Sequence, residues 1–142
     1  MKILIVYYSQ SGNTKKVVEM AEERLKDLHH EVTVKNALTV KPEQVSDCNL
    51  LLIGTPVHGY ILFGQKPTKE VNEFLANQLP QDLENKPVIG FATYLFFPAG
   101  ALNRIKKAID AQNGNLLGLI AQRRSKKTEL VNEIIECIED SF

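Results

Sequence analysis

Three hydroxyl side chains and a glycine lie close together near the start of the chain, in a segment that we name the hydroxyl loop: Ser9, Gln10, Ser11, Gly12, Asn13 and Thr14. This loop joins a short apolar run to a segment of helical period, so it is predicted to connect a strand to a helix. Gly12 permits a tight turn there, and the N–H groups at a helix start attract anions. Because Ser9, Ser11 and Thr14 add hydroxyl donors, the loop suits phosphate binding.

A simpler interpretation of the hydroxyl loop is that Ser11 or Asn13 caps the helix, a common role for these residue types. Other phosphate sites are excluded more firmly, because neither GxxxxGK[ST] nor GxGxxG occurs at this junction. Receiver domains need acidic residues at the ends of the first and third strands, where this chain has Tyr8-Ser9 and Gly54-Thr55. Phosphate binding and helix capping both stay open at this point.

Strand-length apolar runs alternate with helical segments along the chain, and this alternation predicts an α/β fold built on a parallel sheet. The runs cover residues 2–8, 31–36, 49–54, 87–94 and 115–122. Four are almost continuously apolar, as expected when helices cover both faces of a sheet. The second alternates apolar and polar residues, which predicts an edge strand. A doubly wound sheet of either common strand order binds ligands at the carboxyl ends of its strands.

Four helices are predicted from apolar residues that recur at helical spacing. The segment after Asn36, through Asp47, contains Pro42 and lacks such a stripe, so any helix there is short. The four stripes are Val17, Val18, Ala21, Leu25 and Leu28; Val71, Phe74, Leu75 and Leu79; Leu102, Ile105 and Ile109; and Leu130, Val131, Ile134, Ile135 and Ile138.

The size and composition of the chain favour one domain over residues 1–142, because 142 residues with 44% hydrophobic content can build a single core. Lys and Arg number 17 and so do Asp and Glu, which argues against a nucleic-acid partner. No apolar run approaches the roughly 20 residues of a membrane span. Cys48 and Cys137 lack the spacing of metal ligands, and we expect reduced thiols in a cytoplasmic protein.

The stretch ILIVYYSQSGNT, residues 3–14, resembles the [ST]-x-[ST]-G-x-T signature of the flavodoxin family, in which this loop binds the phosphate of FMN. The motif matches at every defined position, and the order of elements extends the resemblance over the whole chain. The length and the unbroken fifth run resemble the short-chain group of the family. The resemblance implies a flavodoxin-like, doubly wound five-stranded parallel sheet of order 2-1-3-4-5, with non-covalently bound FMN.

The resemblance also implies two loops that hold the flavin ring. The first ring loop, residues 54–64, would place Gly59 at the flavin N5 and His58 against the ring, although an exposed loop histidine is the alternative for His58. The second ring loop, residues 93–100, would stack one aromatic ring on the flavin, with Tyr94 as the first choice. Burial of Phe96 and Phe97 under the next helix is the alternative there. The implied ring contacts are Thr55, Pro56, Val57, His58, Gly59, Tyr60, Thr93, Tyr94, Leu95 and Phe96.

Neither ring loop contains Asp or Glu, whereas typical electron-carrier flavodoxins surround the flavin with carboxylates that steer basic partners. An apolar rim would take their place. A rim of this kind fits a docking face for a partner protein, a substrate pocket or a self-association surface. The apolar rim comprises Val57, Tyr60, Ile61, Leu62, Phe63, Leu95, Phe96 and Phe97.

Three functions follow from the resemblance. The first is an electron-transfer protein that carries FMN and exchanges electrons with redox partner proteins on other chains. The second is an FMN-dependent oxidoreductase acting on a planar quinone- or porphyrinogen-like substrate, with His58 or Tyr60 as proton donor. The third is a non-redox binding module that keeps only the phosphate site. The carrier is favoured because His58 is the one obvious acid or base in the ring loops.

Overall fold

Five parallel strands form one sheet in the order β2-β1-β3-β4-β5, and a helix follows each strand along the chain. The structure is a computed structural model that describes residues 1–57, 68–96 and 100–142. The elements are β1 (Lys2–Tyr7), α1 (Asn13–Asp27), β2 (Glu31–Asn36), α2 (Pro42–Asp47), β3 (Leu50–Pro56), α3 (Lys69–Asn77), β4 (Pro87–Tyr94), α4 (Ala101–Ala111), β5 (Asn115–Arg123) and α5 (Lys127–Ser141). The predicted fold class and strand order are confirmed.

The helices cover both faces of the sheet, with a separate apolar cluster under each layer. Helices α1 and α5 pack on one face, where Val18 and Ile134 are buried with the side chains of the central strands. Helices α2, α3 and α4 pack on the other face, through residues such as Phe74 and Ile105. The predicted stripes supply these contacts, except that Leu28 caps α1 outside the core and is 42% exposed.

The predicted carboxyl ends of three strands are wrong by one or two residues, and β3 begins at Leu50 rather than at residue 49. Strand β1 ends at Tyr7 rather than at residue 8, and β5 continues to Arg123. Strand β3 continues through Thr55 and Pro56, because these two residues pair with Ala92 and Thr93 of β4. The first ring loop therefore begins at Val57, three residues later than the sequence suggested.

Strands β2 and β5 form the two edges of the sheet, as the strand order requires. Strand β2 alternates between exposed and half-buried positions, which confirms the predicted edge strand. Strand β5 is half-buried along its interior although it is mostly apolar, because it has a neighbouring strand on one side only. None of the helices in the described ranges has the length and apolar content needed to span a bilayer.

Candidate functional site

The hydroxyl loop lies at the carboxyl end of β1, an interior strand next to the point where the strand order reverses. Helix α1 begins directly after Gly12, which has a left-handed backbone with φ 87° and ψ −6°. Among the described residues, no side chain caps this helix start. The capping interpretation of Ser11 and Asn13 is therefore wrong, and the leading N–H groups of α1 are left for another acceptor.

Two hydroxyl oxygens of the loop accept hydrogen bonds from within the loop itself. Ser9 Oγ accepts the N–H of Gly12 at 3.1 Å, and Ser11 Oγ accepts the side-chain amide of Asn13 at 2.9 Å. A hydroxyl that accepts a hydrogen bond still has its own proton to donate. Ser9 and Ser11 thus each keep a hydroxyl proton for a further acceptor, while their oxygens are held by the loop.

Thr14 differs from the two serines because its side chain is buried in the first turn of α1, with 1% exposure. Its hydroxyl lies 3.0 Å from the hydroxyl of Thr93 at the end of β4, and Thr93 is fully buried. This contact connects the hydroxyl loop to the strand that leads into the second ring loop. The structure thus brings together two predicted site residues that are 79 positions apart.

The carboxyl ends of the strands are tied to one another by backbone hydrogen bonds at the site. The N–H of Tyr8 donates to the carbonyl of Gly54 at 3.3 Å, and the N–H of Val57 donates to the carbonyl of Thr93 at 2.9 Å. The carbonyl of Tyr94 accepts the N–H of Arg124 at 2.9 Å. The segments that begin both ring loops are therefore fixed to the sheet.

Thr55 and Pro56 lie in β3, and the hydroxyl of Thr55 is used inside the protein. It donates to the carbonyl of Pro56 at 2.9 Å and accepts the N–H of Thr68 at 3.3 Å. Thr68 is itself buried and caps α3 by accepting the N–H of Val71. The sequence analysis missed Thr68, although a threonine before an amphipathic run is the usual signal for a helix cap.

The described part of the second ring loop presents apolar side chains to the surface. Leu95 is 56% exposed and Phe96 is 62% exposed, while Tyr94 is half-buried at the end of β4. The alternative that Phe96 is buried under α4 is wrong. Val57, at the start of the first ring loop, is half-buried. Val57, Leu95 and Phe96 are the described members of the apolar rim, and Tyr94 borders it.

Several predicted ring contacts fall outside the described residues. His58, Gly59 and Tyr60 are among them, as are Ile61, Leu62, Phe63 and Phe97 of the apolar rim. Gln10 is described and exposed, and it lines an open groove of about 540 Å³ between the hydroxyl loop and α3, with Arg104 of α4 on the groove's border.

Shifted titratable groups lie away from the site, toward the amino ends of the strands. Burial raises the pKa of the Cys48 thiol, just before β3. Hydrogen bonds from the Glu84 N–H and the Asn113 side chain lower the pKa of Asp82, in the segment before β4. Cys48 and Cys137 are both free thiols. Over the described ranges, no cluster of His, Cys, Asp or Glu could hold a metal ion.

The chain matches the family model of the flavodoxin domain over residues 4–126. Its structure is similar to that of two-electron reduced Megasphaera elsdenii flavodoxin, with a TM-score of 0.80, 20% identity, and coverage of 95% of this chain and 96% of that chain. Oxidised flavodoxin 2 from Bacillus cereus gives a TM-score of 0.80 and 20% identity over 100% of both chains.

A larger protein also contains this fold. The rubredoxin:oxygen oxidoreductase of Desulfovibrio gigas matches 96% of this chain with 37% of its own, at a TM-score of 0.68 and 13% identity. Among curated proteins, no sequence matches the chain.

Proposed function

The chain belongs to the flavodoxin family of FMN-binding electron-transfer proteins, and from this premise we propose that it is an electron carrier that holds FMN at the carboxyl ends of β1, β3 and β4. FMN supplies the redox centre. The chain itself supplies the phosphate site, the support for the ring and the surface that a partner approaches.

The hydroxyl loop carries the proposal, because its donors suit the phosphate group of FMN. The helix start behind Gly12 has no side-chain cap from the part of the chain that the structure describes, and Ser9 and Ser11 keep their protons while their oxygens are held by the loop. Phosphate has several acceptor oxygens and a negative charge, and both favour a helix start with hydroxyl donors. We therefore assign phosphate binding to residues 9–14.

The flavin ring is proposed to lie between the two ring loops, at the carboxyl ends of β3 and β4. The hydrogen bond from the Val57 N–H to the Thr93 carbonyl joins these two ends. Tyr94 is the first candidate for stacking, since it is half-buried and sits where β4 ends. Leu95 and Phe96 would border the ring. His58, Gly59 and Tyr60 keep their proposed contacts with the flavin by resemblance to the family.

A carrier is favoured over an enzyme because the surface beside the proposed ring site is exposed and apolar. Leu95 and Phe96 are both more than half exposed, as in a surface that another protein covers. We propose that a redox partner protein docks on the apolar rim. The two free thiols support a reducing compartment, so we place the carrier in the cytoplasm.

Phosphate recognition is tested by titrating FMN and riboflavin into the flavin-free chain and following flavin fluorescence. Ser11→Ala should weaken FMN binding by about 1.5–3 kcal/mol, which is roughly 10- to 150-fold, because a hydrogen bond to a charged group is lost. Riboflavin lacks the phosphate, so its affinity should stay unchanged. Ser46→Ala is the matched control, since Ser46 lies in α2 and its hydroxyl donates to the carbonyl of Pro42. Equal FMN affinity in Ser11→Ala and wild type would refute the assignment.

Carrier and enzyme are separated by steady-state kinetics on the FMN-loaded protein. A carrier should oxidise NADPH or NADH with a quinone acceptor only when a separate reductase is added. Turnover without a reductase would favour the oxidoreductase that uses the apolar rim as a substrate pocket. A chain that takes up neither flavin would instead support the non-redox binding module.

A further inference from the structure

Thr93 is the residue through which the hydroxyl loop and both ring loops are connected. Its hydroxyl lies 3.0 Å from that of Thr14, and its carbonyl accepts the N–H of Val57 at 2.9 Å. The next residue, Tyr94, has its carbonyl bound to the N–H of Arg124. The carbonyl of Thr93 is thus held by the residue that follows β3, and the carbonyl of Tyr94 is held by the residue that follows β5.

The two threonine hydroxyls can share their hydrogen bond in only one direction at a time. A hydroxyl has a single proton, so the proton between the two oxygens comes either from Thr14 or from Thr93. If the Thr14 hydroxyl donated to Thr93, Thr14 would have no proton left to donate to a bound phosphate. If Thr93 is the donor, the proton of Thr14 is left for the phosphate.

We propose that Thr93 is a positioning residue for FMN. Its hydroxyl donates a hydrogen bond to the hydroxyl oxygen of Thr14, so that the Thr14 hydroxyl donates a hydrogen bond to the phosphate. The inference rests on the proposed function. It gives Thr93 an indirect role in cofactor binding, consistent with its complete burial. It also gives Thr14 the same arrangement as Ser9 and Ser11, whose oxygens accept a bond inside the protein while their protons are left to donate.

Because both hydroxyls are buried, the direction of this hydrogen bond should affect the affinity for FMN. Thr14 is 1% exposed and Thr93 is fully buried, so water has little access to replace a missing partner. A buried hydroxyl without its partner loses free energy that an exposed one would recover from solvent. Removing the Thr93 hydroxyl should therefore weaken the hydrogen bond from Thr14 to the phosphate.

The test measures dissociation constants of FMN and riboflavin for the wild type, Thr93→Val and Thr93→Ser, starting from the flavin-free full chain. Valine has nearly the shape of threonine but cannot donate, whereas serine keeps the hydroxyl. Thr93→Val should weaken FMN binding about tenfold and riboflavin binding less than about twofold, because only FMN presents a phosphate to Thr14. Thr93→Ser should restore most of the FMN affinity.

Two results would overturn the inference. An equal loss for FMN and riboflavin in Thr93→Val would mean that Thr93 only supports the fold of the strand ends. Unchanged or tighter FMN binding would mean that Thr14 does not depend on a proton from Thr93. Thr33→Val, on the exposed side of edge strand β2, controls for the loss of any strand threonine hydroxyl.

A double-mutant cycle tests the route through Thr14. If Thr93 acts only through Thr14, adding Thr93→Val to Thr14→Val should leave the FMN affinity of the single Thr14→Val variant unchanged. An additional loss in the double variant would contradict the inference. If Thr93→Val does not fold, the same FMN and riboflavin affinities are measured for Thr93→Ala, which also lacks the hydroxyl. Failure of the proposed function is recognised separately, because the wild type would then bind neither flavin.

Discussion

Single residues of the hydroxyl loop are held by the protein in ways that leave them hydrogen-bonding capacity for a ligand. Ser9 and Ser11 accept bonds from the hydroxyl loop, so their positions do not depend on a bound anion. This preorganisation lowers the ordering that binding must achieve. The loop is therefore expected to have nearly the same shape with and without FMN.

Gly12 is the residue whose backbone sets that shape. Its φ of 87° lies in the left-handed region, and a Cβ added there would meet no atom of the described residues within 4 Å. A substitution at Gly12 is thus strained by the backbone alone, with no steric clash. Because Gly12 is also exposed, the backbone effect of a substitution can be separated from any effect on packing.

Replacing Gly12 by alanine should lower the free energy of unfolding of the flavin-free chain by about 1–2 kcal/mol, the cost of a left-handed conformation for a residue with a Cβ. Gly12→Asn should lose less, because asparagine visits this conformation more readily than alanine. Urea unfolding at neutral pH measures both. Equal losses for alanine and asparagine would show that the strain arises from something other than the backbone.

At the scale of elements, most of the fold follows from local patterns. The strand at residues 87–94 was predicted with its observed bounds, because Pro87 and the apolar run mark it clearly. The stripe of α5 was also predicted, since Ile134 and its neighbours repeat at helical spacing and are buried. The hydroxyl loop was located from residue types alone. Periodicity and loop chemistry are local properties, so a sequence reports them.

What the sequence could not predict depends on partners far along the chain. Strand β3 extends to Pro56 only because β4 pairs with it there. The contact between Thr14 and Thr93 has no local signal, and neither residue type is unusual at its position. Gly54 likewise gives no local sign that the ring of Phe91 lies against it, leaving no room for a Cβ. Such contacts are set by how the elements pack.

The connection before β4 offers a prediction at the same scale. Asp82 accepts the N–H of Glu84 at 2.8 Å and the side-chain amide of Asn113 at 3.1 Å. It thereby supports Glu84 and Asn85, which both have positive φ, and links this turn to the residue before Gly114. These hydrogen bonds favour the ionised carboxylate and lower the pKa of Asp82 below its ordinary value of 3.8.

The sign of the pH effect follows from that lowered pKa. A group with a lower pKa in the folded state stabilises the fold above the unfolded-state pKa, and the contribution is lost as pH falls through the folded-state pKa. Wild type should therefore be more stable than Asp82→Asn near pH 6, and the difference should shrink below about pH 4. Thermal unfolding across this range measures it. A difference that is constant with pH would assign the effect to packing.

The whole molecule has no net charge, with 17 basic and 17 acidic residues, and its ring loops contain no carboxylate. Electrostatic steering of a partner depends on the field of the protein and on charges near the contact surface. The ring loops supply no carboxylate for such steering on the side that we propose for docking. Encounter with a partner should then depend mainly on the shape and apolar area of the rim.

Electron transfer from the reduced, FMN-loaded protein should accordingly be nearly insensitive to salt. Stopped-flow rates with a basic haem protein and with ferricyanide, an anionic oxidant, should each change less than about threefold as ionic strength rises from about 0.02 to 0.2 M, a range over which exposed charges become screened. Leu95→Glu supplies the contrast, because Leu95 is 56% exposed in the apolar rim. This variant should react faster with the basic protein at low salt only, since a carboxylate beside the flavin attracts that partner until salt screens it. A steep salt dependence in the wild type would show that charges outside the ring loops steer its partners, and the apolar rim would lose its proposed role in recognition.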